Sequence, residues 1–254
     1  MGIPLYGQNK DGNKLGADLD KKYNYKLYGI PVASSGDPAH AVLAGTDDQG
    51  WTHTHESGLV LSGNYVGANT VDQPPGHANG VEYSMTDTDD IGCQWTVGPF
   101  LAGGLEGKHI FTAQTSPAFY FKVHMLLTDV SGTDDCHVGF RLQSDAVETT
   151  GVAYTDFASL NVDAGTVKYE NNINNGGAAS ASSEATWADD EFSWLEVRVS
   201  AAGVTSYYKN GVALSTNKPT VTFDSGDIIT PWFYFRNHTH KSDCVIDEVE
   251  FGLQ

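Results

Sequence analysis

Short runs of alternating apolar and polar residues constrain the fold of this 254-residue chain more than any other feature. In one such run, Leu195, Val197 and Val199 share one face of an extended strand, because successive side chains of a strand point to opposite faces. Similar runs recur from about residue 58 to the C-terminus, separated by Gly, Asp, Asn and Pro. No segment between them has the period of a long amphipathic helix. The sequence therefore predicts an all-β protein built from antiparallel strands, each with a core face and a solvent face.

Local turn signals refine this prediction. Asn210-Gly211 lies between two strand-like runs and supplies the positive φ angles of a two-residue type I′ turn, so a hairpin is predicted there. Residues 171–183 are rich in Asn, Gly, Ala and Ser and have neither bulk nor period, which predicts a long mobile loop. Residues 151–157 are predicted to form a strand.

The first 57 residues differ from the rest of the chain. They contain no sustained period of 2 or 3.6 and are dense in Gly, Asp, Asn and Lys. We predict an extended N-terminal arm over residues 1–57 and a β-sandwich over residues 58–254. The apolar side chains of the arm could dock on the same chain or on a partner. The candidate partner-binding residues are Tyr6, Tyr23, Tyr25, Leu27, Tyr28 and Ile30.

The acidic composition excludes several classes of partner. The chain carries a formal net charge of -18, which repels phosphate backbones and anionic lipid. We therefore expect neither nucleic acid nor membrane partners. No window reaches the apolar length of a spanning helix, and the first residues lack the basic and apolar segments of an export signal. We therefore expect that the chain is synthesised in the cytoplasm and is not exported; for a virion protein this would be the host cytoplasm.

The three cysteines indicate buried thiols rather than a disulfide framework. Cys93, Cys136 and Cys244 are odd in number and widely spaced, and each lies in a strand-like context. Free Cys in such a context usually serves as a small buried hydrophobe. A bridge between Cys136 and Cys244 stays open as an alternative if their strands are neighbours.

Four elements in the C-terminal half occur in a characteristic order: the strand 194–200, the hairpin 207–212, the strand 230–236 and the closing strand 245–251. In this order they resemble the concanavalin A-like lectin/glucanase superfamily, particularly its laminin-G-like and pentraxin-like modules. The resemblance extends from about residue 118 to the C-terminus. It implies a jelly-roll sandwich of two curved antiparallel sheets. It leaves function open, because the same fold carries lectins, hydrolases and structural modules.

A second resemblance concerns the whole chain. The arm, the missing export signal and the Gly/Asn/Thr-rich β domain together resemble phage capsid-decoration and fibre proteins. This implies a non-enzymatic virion protein, either a capsid decoration or cement protein or a fibre-like protein, that is anchored by its arm. The implied partners are the major capsid protein or neighbouring virion subunits, with self-association into a trimer. No cofactor is required for this role.

The alternative function is calcium-assisted glycan binding. Trp187, beside Asp189 and Asp190, is the candidate aromatic platform for surface glycans. The acidic segments 86–90 and 129–135 could hold calcium through oxygen ligands, as lectins of the superfamily do. Acidic turns that close hairpins explain both segments without an ion. The candidate calcium ligands are Asp129, Asp134 and Asp135.

Two His-x-His pairs offer a different metal site. Each pair places two imidazoles on one side of an extended segment, and the pairs could converge on a transition metal, particularly around the threefold axis of a trimer. Loop histidines without a ligand are the alternative. The four residues are His53, His55, His238 and His240.

A glycoside hydrolase is the third and disfavoured hypothesis. Asp247, Glu248 and Glu250 lack the first Glu of the E-x-D-x-x-E pattern that laminarinase-like members of the superfamily carry. An alternating polar face on a terminal strand is the ordinary solvated state. Cys136 and His137 are adjacent in sequence, so their side chains point to opposite faces of a strand and cannot form a dyad. No catalytic residue is predicted.

Overall fold

The computed structural model describes residues 23–26, 51–54, 60–66, 76–77, 80–84, 92–97, 111–143, 151–237 and 242–254. These residues form the following strands: β1 (Tyr23–Lys26), β2 (Trp51–Thr54), β3 (Val60–Val66), β4 (Gly76–His77), β5 (Gly80–Ser84), β6 (Gly92–Val97), β7 (Phe111–Thr112), β8 (Phe119–Leu127), β9 (Thr133–Leu142), β10 (Phe157–Asp163), β11 (Thr166–Asn172), β12 (Ala179–Thr186), β13 (Ser193–Val199), β14 (Thr205–Lys209), β15 (Val212–Leu214), β16 (Ile228–Asn237) and β17 (Asp243–Leu253). Two short 3₁₀ helices are η1 (Val130–Gly132) and η2 (Gly151–Ala153).

The strands form two antiparallel sheets. The eight-stranded sheet has the order β15-β14-β13-β8-β17-β5-β4, and β1 also pairs with β17. The nine-stranded sheet has the order β12-β11-β10-β9-β16-β6-β3-β2, and β7 also pairs with β16. The predicted all-β, two-sheet antiparallel sandwich is confirmed.

Aromatic rings from both sheets meet in the core. Trp95 on β6 and Phe121 on β8 contact edge to face with ring centroids 6.1 Å apart. Phe119 on β8 and Phe140 on β9 do the same at 5.2 Å. All four side chains are fully buried. Burial of each such side chain contributes roughly 1.5–3 kcal/mol to folding, so this layer is a main source of stability.

The strongest local predictions are confirmed. Leu195, Val197 and Val199 on β13 are completely buried in the core. Asn210 and Gly211 join β14 to β15 with φ angles of 51° and 76°, the left-handed values that the Asn-Gly turn predicts.

Two local predictions are wrong. Residues 179–183, predicted as loop, belong to β12, which pairs with β11 as the edge strand of the nine-stranded sheet. Ala181 and Ala185 pack against the core from this strand, and small side chains suffice at an edge. Residues 151–157, predicted as a strand, instead begin with η2 before β10 starts at Phe157.

Two segments of the predicted arm pair with the sandwich of the same chain. β1 lies antiparallel to β17, with Tyr23 opposite Phe251 and Tyr25 opposite Val249. β2 lies antiparallel to β3. The other candidate arm residues, Tyr6, Leu27, Tyr28 and Ile30, fall outside the described residues.

The three cysteines are free and buried, so the Cys136–Cys244 bridge is not present. Cys136 Sγ lies 3.8 Å from Met125 Sδ in the core. Burial raises the pKa of the Cys93 and Cys244 thiols well above the usual value. The prediction of small buried hydrophobes is confirmed.

Among the described residues, no helix has the length and apolar character that crossing a bilayer requires.

Candidate functional site

The outward-facing side of the nine-stranded sheet is the most unusual region of the described residues, because its side chains are buried rather than exposed. An outward sheet face is ordinarily solvated, but here β6, β9, β10 and β16 direct buried polar and aromatic side chains away from the core. Each has an exposed fraction of 0%. We call this set the outer layer: Gln94, Thr96, His137, Arg141, Phe157, Ser159, Asn161, Trp232 and Tyr234, with Tyr154 packed over it.

Four aromatic residues of the outer layer form a cluster separate from the main core. The Trp232 ring lies at its centre, with centroids 5.1 Å from Tyr154 and 5.8 Å from Phe157. Tyr234, two residues further along β16, lies 5.9 Å from Trp232. Alternation along β16 sends Phe233 and Phe235 into the core, so Trp232 and Tyr234 must face outward.

Hydrogen-bonding groups are interleaved with these rings. The Gln94 amide oxygen accepts hydrogen bonds from the Tyr154 hydroxyl and, at 3.4 Å, from Trp232 Nε1. The Arg141 guanidinium lies over the Tyr154 ring, with Cζ 4.7 Å from the centroid. The outer layer thus holds aromatic faces and polar groups side by side, with none of them exposed.

His137 occupies the middle of the outer layer on β9. It lies opposite Asn161 of β10 and Tyr234 of β16. Its Nδ1 is 2.9 Å from Ser159 Oγ, and the Ser159 hydroxyl donates to the backbone oxygen of Glu170 at 3.4 Å. Since this hydroxyl donates its proton elsewhere, it accepts from Nδ1–H. In the tautomer that carries its single proton on Nδ1, Nε2 then offers a lone pair.

Two carboxylates face the Nε2 atom of His137. His137 Nε2 lies 3.5 Å from Asp135 Oδ1 and 3.7 Å from Glu170 Oε2. One ligand atom from each of the three residues falls within 4.8 Å of the others. We call Asp135, His137 and Glu170 the triad. Within the described part of the chain, neither His137 Nε2 nor Glu170 Oε2 has a hydrogen-bond partner.

Neighbouring side chains hold Asp135 in place. Its Oδ1 accepts from Asn161 Nδ2 at 2.9 Å, and its Oδ2 lies 3.1 Å from Arg236 Nη2. Asn161 is fixed in turn, because its Oδ1 accepts from the Cys136 backbone N–H at 2.7 Å. The carboxylate is therefore positioned by the packing of β9, β10 and β16.

Gly139 allows β9 and β10 to approach closely between the two outward residues His137 and Arg141. A Cβ at Gly139 would lie 2.2 Å from the Ala158 backbone oxygen and 2.6 Å from Ser159 Cα. No side chain fits there, and the strand pairing that brings Ser159 to His137 depends on this glycine.

The predicted glycan platform lies elsewhere. Trp187 is 4% exposed, and Lys209 Nζ lies 4.9 Å from its ring centroid. Asp189 accepts from the Val130 backbone N–H, and Asp190 adopts a left-handed turn conformation with φ 56°. The structure therefore places the Trp187 ring in the core rather than at the surface.

Of the predicted metal ligands, Asp129 and Asp135 have described side chains, and these two lie in different surroundings. Asp129 caps η1 by accepting from the backbone N–H groups of Ser131 and Gly132. Asp135 belongs to the triad instead. The structure does not describe His55, His238 and His240, and it does not describe the side chains of Asp134 and His53. Calcium binding by Asp129 and Asp134 and metal binding by the four histidines stay predictions.

Sequence reasoning missed His137 and Glu170 as a pair. Asp135 and His137 are two residues apart on one strand, so their shared face could have been found from the alternation of β9. Glu170 joins them only through the pairing of β11 with β10, in which it lies opposite Ser159. As predicted, Cys136 points into the core and His137 points away from it.

The outward side of the eight-stranded sheet is more ordinary. Glu250 accepts from the Tyr120 hydroxyl at 2.5 Å and pairs with Lys122 at 3.1 Å. His124 Nδ1 lies 2.6 Å from Asp247 Oδ1. Burial raises the pKa of Asp247, although His124 acts in the opposite direction. These cross-strand pairs are the usual arrangement of a solvated sheet face.

No protein-family model matches the sequence, and no match was found among curated proteins. In fold, the chain is similar to a protein of unknown function from Shewanella oneidensis MR-1, with a TM-score of 0.50 and 11% identity over 91% of this chain and 84% of that one. It is also similar to the carbohydrate recognition domain of Emp46p in its potassium-bound form, with a TM-score of 0.51 and 11% identity over 75% of this chain and 88% of that one. An alginate lyase from Pseudomonas aeruginosa gives a TM-score of 0.48 and 11% identity over 73% and 88% of the respective chains.

The first two likenesses support the β-sandwich fold, which the Emp46p carbohydrate recognition domain shares. None of the three proteins is described as a virion component, and the virion role stays a prediction.

Proposed function

We propose that this protein binds carbohydrate through the outer layer of the nine-stranded sheet. The observation that carries the proposal is the placement of Trp232, Tyr154 and Tyr234 among amide, guanidinium and imidazole groups on one sheet face. Aromatic rings stack on the apolar faces of sugars, while the polar groups between them bind hydroxyls.

The spare hydrogen-bonding capacity of this face supports the same proposal. Three buried atoms have no hydrogen-bond partner among the described residues: Thr96 Oγ1, His137 Nε2 and Glu170 Oε2. Buried polar groups are nearly always paired, so unpaired ones on a single face call for an explanation. A polyhydroxylated ligand can donate to and accept from each of them.

Because the side chains of the outer layer have an exposed fraction of 0% in the ligand-free chain, ligand binding in this proposal requires the covering side chains to move. The movement begins at the edge of the layer, where charged side chains reach the surface. Asp135 and Arg236 have side-chain exposures of 13% and 14%, while His137 beside them has none. A neutral glycan is favoured over a polyanionic one, because the net charge of -18 repels anions at long range.

The fold supports carbohydrate binding as a general capacity. Emp46p carries its carbohydrate recognition domain on a similar sandwich. We propose binding without catalysis, because Glu250 and Asp247 are engaged by Lys122 and His124 rather than left to act as an acid and base pair. A reducing-end release assay on the bound glycan should give no product.

A screen of neutral oligosaccharides and polysaccharides against the full chain, followed by calorimetric titration of the best ligand, tests the proposal. Trp232→Phe keeps an aromatic ring but loses the indole N–H bond to Gln94, and we expect at least tenfold weaker binding. Trp194→Phe, on the opposite sheet, is the matched control and should bind as the wild type does.

Binding that resists Trp232→Phe but is lost in Trp194→Phe would place the site on the other sheet. A chain that is folded by circular dichroism yet binds no glycan would contradict the proposal altogether.

A further inference from the structure

We propose that Asp135, His137 and Glu170 bind one divalent transition-metal ion between β9 and β11, with His137 Nε2 and one oxygen of each carboxylate as ligands. This inference does not rest on glycan binding. It rests on the convergence of the three side chains and on the unpartnered, fully buried imidazole nitrogen aimed at the two carboxylates.

The triad is incomplete without a cation. With Nδ1–H donated to Ser159, Nε2 offers a lone pair toward two negatively charged oxygens at 3.5 and 3.7 Å. Three acceptors then face one another in a buried setting, where such repulsion is costly. A positive ion among them converts all three contacts into favourable ones.

The charges of the surrounding side chains lead to the same conclusion. Arg236 compensates Asp135 through a contact of 3.1 Å. Glu170 has His137 as its ion-pair partner within the described part of the chain, although its side chain is only 10% exposed. If the imidazole is neutral, no countercharge among the described residues faces the buried Glu170 carboxylate, and a bound divalent ion supplies one.

The donor set selects the kind of ion. One imidazole nitrogen and two carboxylate oxygens suit Zn²⁺ and its first-row neighbours, whereas Ca²⁺ takes oxygen ligands. Around a tetrahedral zinc ion, ligand atoms lie about 3.3 Å apart, as follows from bonds of about 2.0–2.1 Å. The two distances from His137 Nε2, 3.5 and 3.7 Å, are close to this spacing, and all three ligand atoms lie within 4.8 Å of one another.

A supporting shell of hydrogen bonds is already in place. The Ser159 hydroxyl contacts His137 Nδ1 and orients the imidazole. Asn161 Nδ2 donates to Asp135 Oδ1 and orients that carboxylate. Metal-binding His and carboxylate side chains characteristically have such partners, which fix the tautomer and the ligand direction. Three protein ligands leave a further coordination position for water or another ligand.

A proton on Nε2 is the other cation that fits, and the experiment separates the two. Untagged full chain is freed of metal with a chelator, dialysed and titrated calorimetrically with ZnCl₂ at neutral pH, and Co²⁺ is added in parallel to record visible absorption. We expect one zinc ion per chain, a higher melting temperature with zinc, and cobalt bands of a low-coordinate nitrogen and oxygen site.

Two variants assign the ligands. Glu170→Gln is isosteric, and its amide can donate to Nε2, so folding is retained while zinc affinity should fall at least tenfold. Asp163→Asn removes one charge from the same sheet at a residue paired with Lys168, and it should leave zinc affinity unchanged. His137→Gln serves as a second ligand variant if Glu170→Gln is unstable.

The proposal is overturned if the wild type takes up no stoichiometric zinc, or if Glu170→Gln and Asp163→Asn bind zinc as the wild type does. The melting temperatures of the zinc-free wild type and zinc-free Glu170→Gln are also compared across pH. If only the wild type depends on pH, the cation at the triad is instead a proton on the imidazole. If the wild type takes up no zinc but still binds glycan, the metal site is refuted and the proposed glycan binding is not affected.

Discussion

The imidazole of His137 stacks on the indole of Trp232, with ring centroids 5.1 Å apart and planes 28° apart. His137 is thereby shared between the aromatic cluster and the triad. One edge of its ring faces two carboxylates, and one flat face covers the central tryptophan. A cation at the triad and a sugar at the rings would accordingly act on the same side chain.

Ser159→Ala should weaken the site and the fold together. It removes the acceptor of His137 Nδ1–H and leaves a buried donor unpaired, which costs about 1–3 kcal/mol. Urea unfolding measures the change. Ser206→Ala, at a partly exposed position of β14, is the control and should change the free energy of unfolding by less than about 0.5 kcal/mol. If the two substitutions change the free energy of unfolding equally, Ser159 does not position His137.

Thr96→Val should stabilise the ligand-free protein by about 1 kcal/mol, because it replaces a buried hydroxyl that has no partner with a methyl group of similar size. The same change should weaken glycan binding. Thr205→Val removes hydrogen bonds to Tyr207 and Val221 and should be destabilising. The expectation fails if both variants lose stability to the same extent in chemical denaturation.

Gly139→Ala should be among the most damaging substitutions in the chain. The added Cβ meets the Ala158 backbone at 2.2 Å, so β9 and β10 must separate, at a cost of about 4 kcal/mol or more. Gly211→Ala meets no atom within 4 Å and suffers only from its φ of 76°, at about 1–2 kcal/mol. Thermal unfolding of the two variants should differ clearly, and similar melting temperatures would show that the strands can adjust.

Asp247→Asn tests the balance between burial and ion pairing on the other sheet. Burial raises the pKa of Asp247 above the usual 3.8 despite His124, and Glu248 acts in the same direction as burial. A raised pKa in the folded state means that folding opposes ionisation, so the wild type loses stability as pH rises through that pKa. The variant should therefore exceed the wild type in stability at neutral pH and match it below about pH 3.

Unfolding measured by urea across that pH range gives the answer. A variant that is less stable than the wild type at neutral pH would show that the His124–Asp247 pair outweighs the burial of the carboxylate. Lys122→Gln, which leaves Asp247 and His124 in place, controls for the general loss of one charge on this face.

The sequence predicted the fold well wherever information is local. Alternation fixed the core faces of strands such as β13, and Asn210-Gly211 fixed its turn, because both depend on neighbouring residues alone. Residues 179–183 were not predicted as a strand because Ala and Ser have no strong strand preference. They form a strand because they pair with β11.

Most of the candidate site could not be predicted from the sequence. Glu170 comes near His137 only through the register of three adjacent strands, which sequence alternation does not specify. Alternation also cannot say which polar face of a strand is buried. Trp187 was chosen for its acidic neighbours and a predicted loop, whereas its ring packs in the core.

The crystal structure of the full chain with the best neutral glycan from the screen tests the central claim most directly. We predict sugar rings stacked on the outer layer at Trp232 and Tyr154, with hydroxyls within hydrogen-bonding distance of Gln94 and Arg141. A glycan bound on the eight-stranded sheet, or at loops away from both sheets, would contradict the claim.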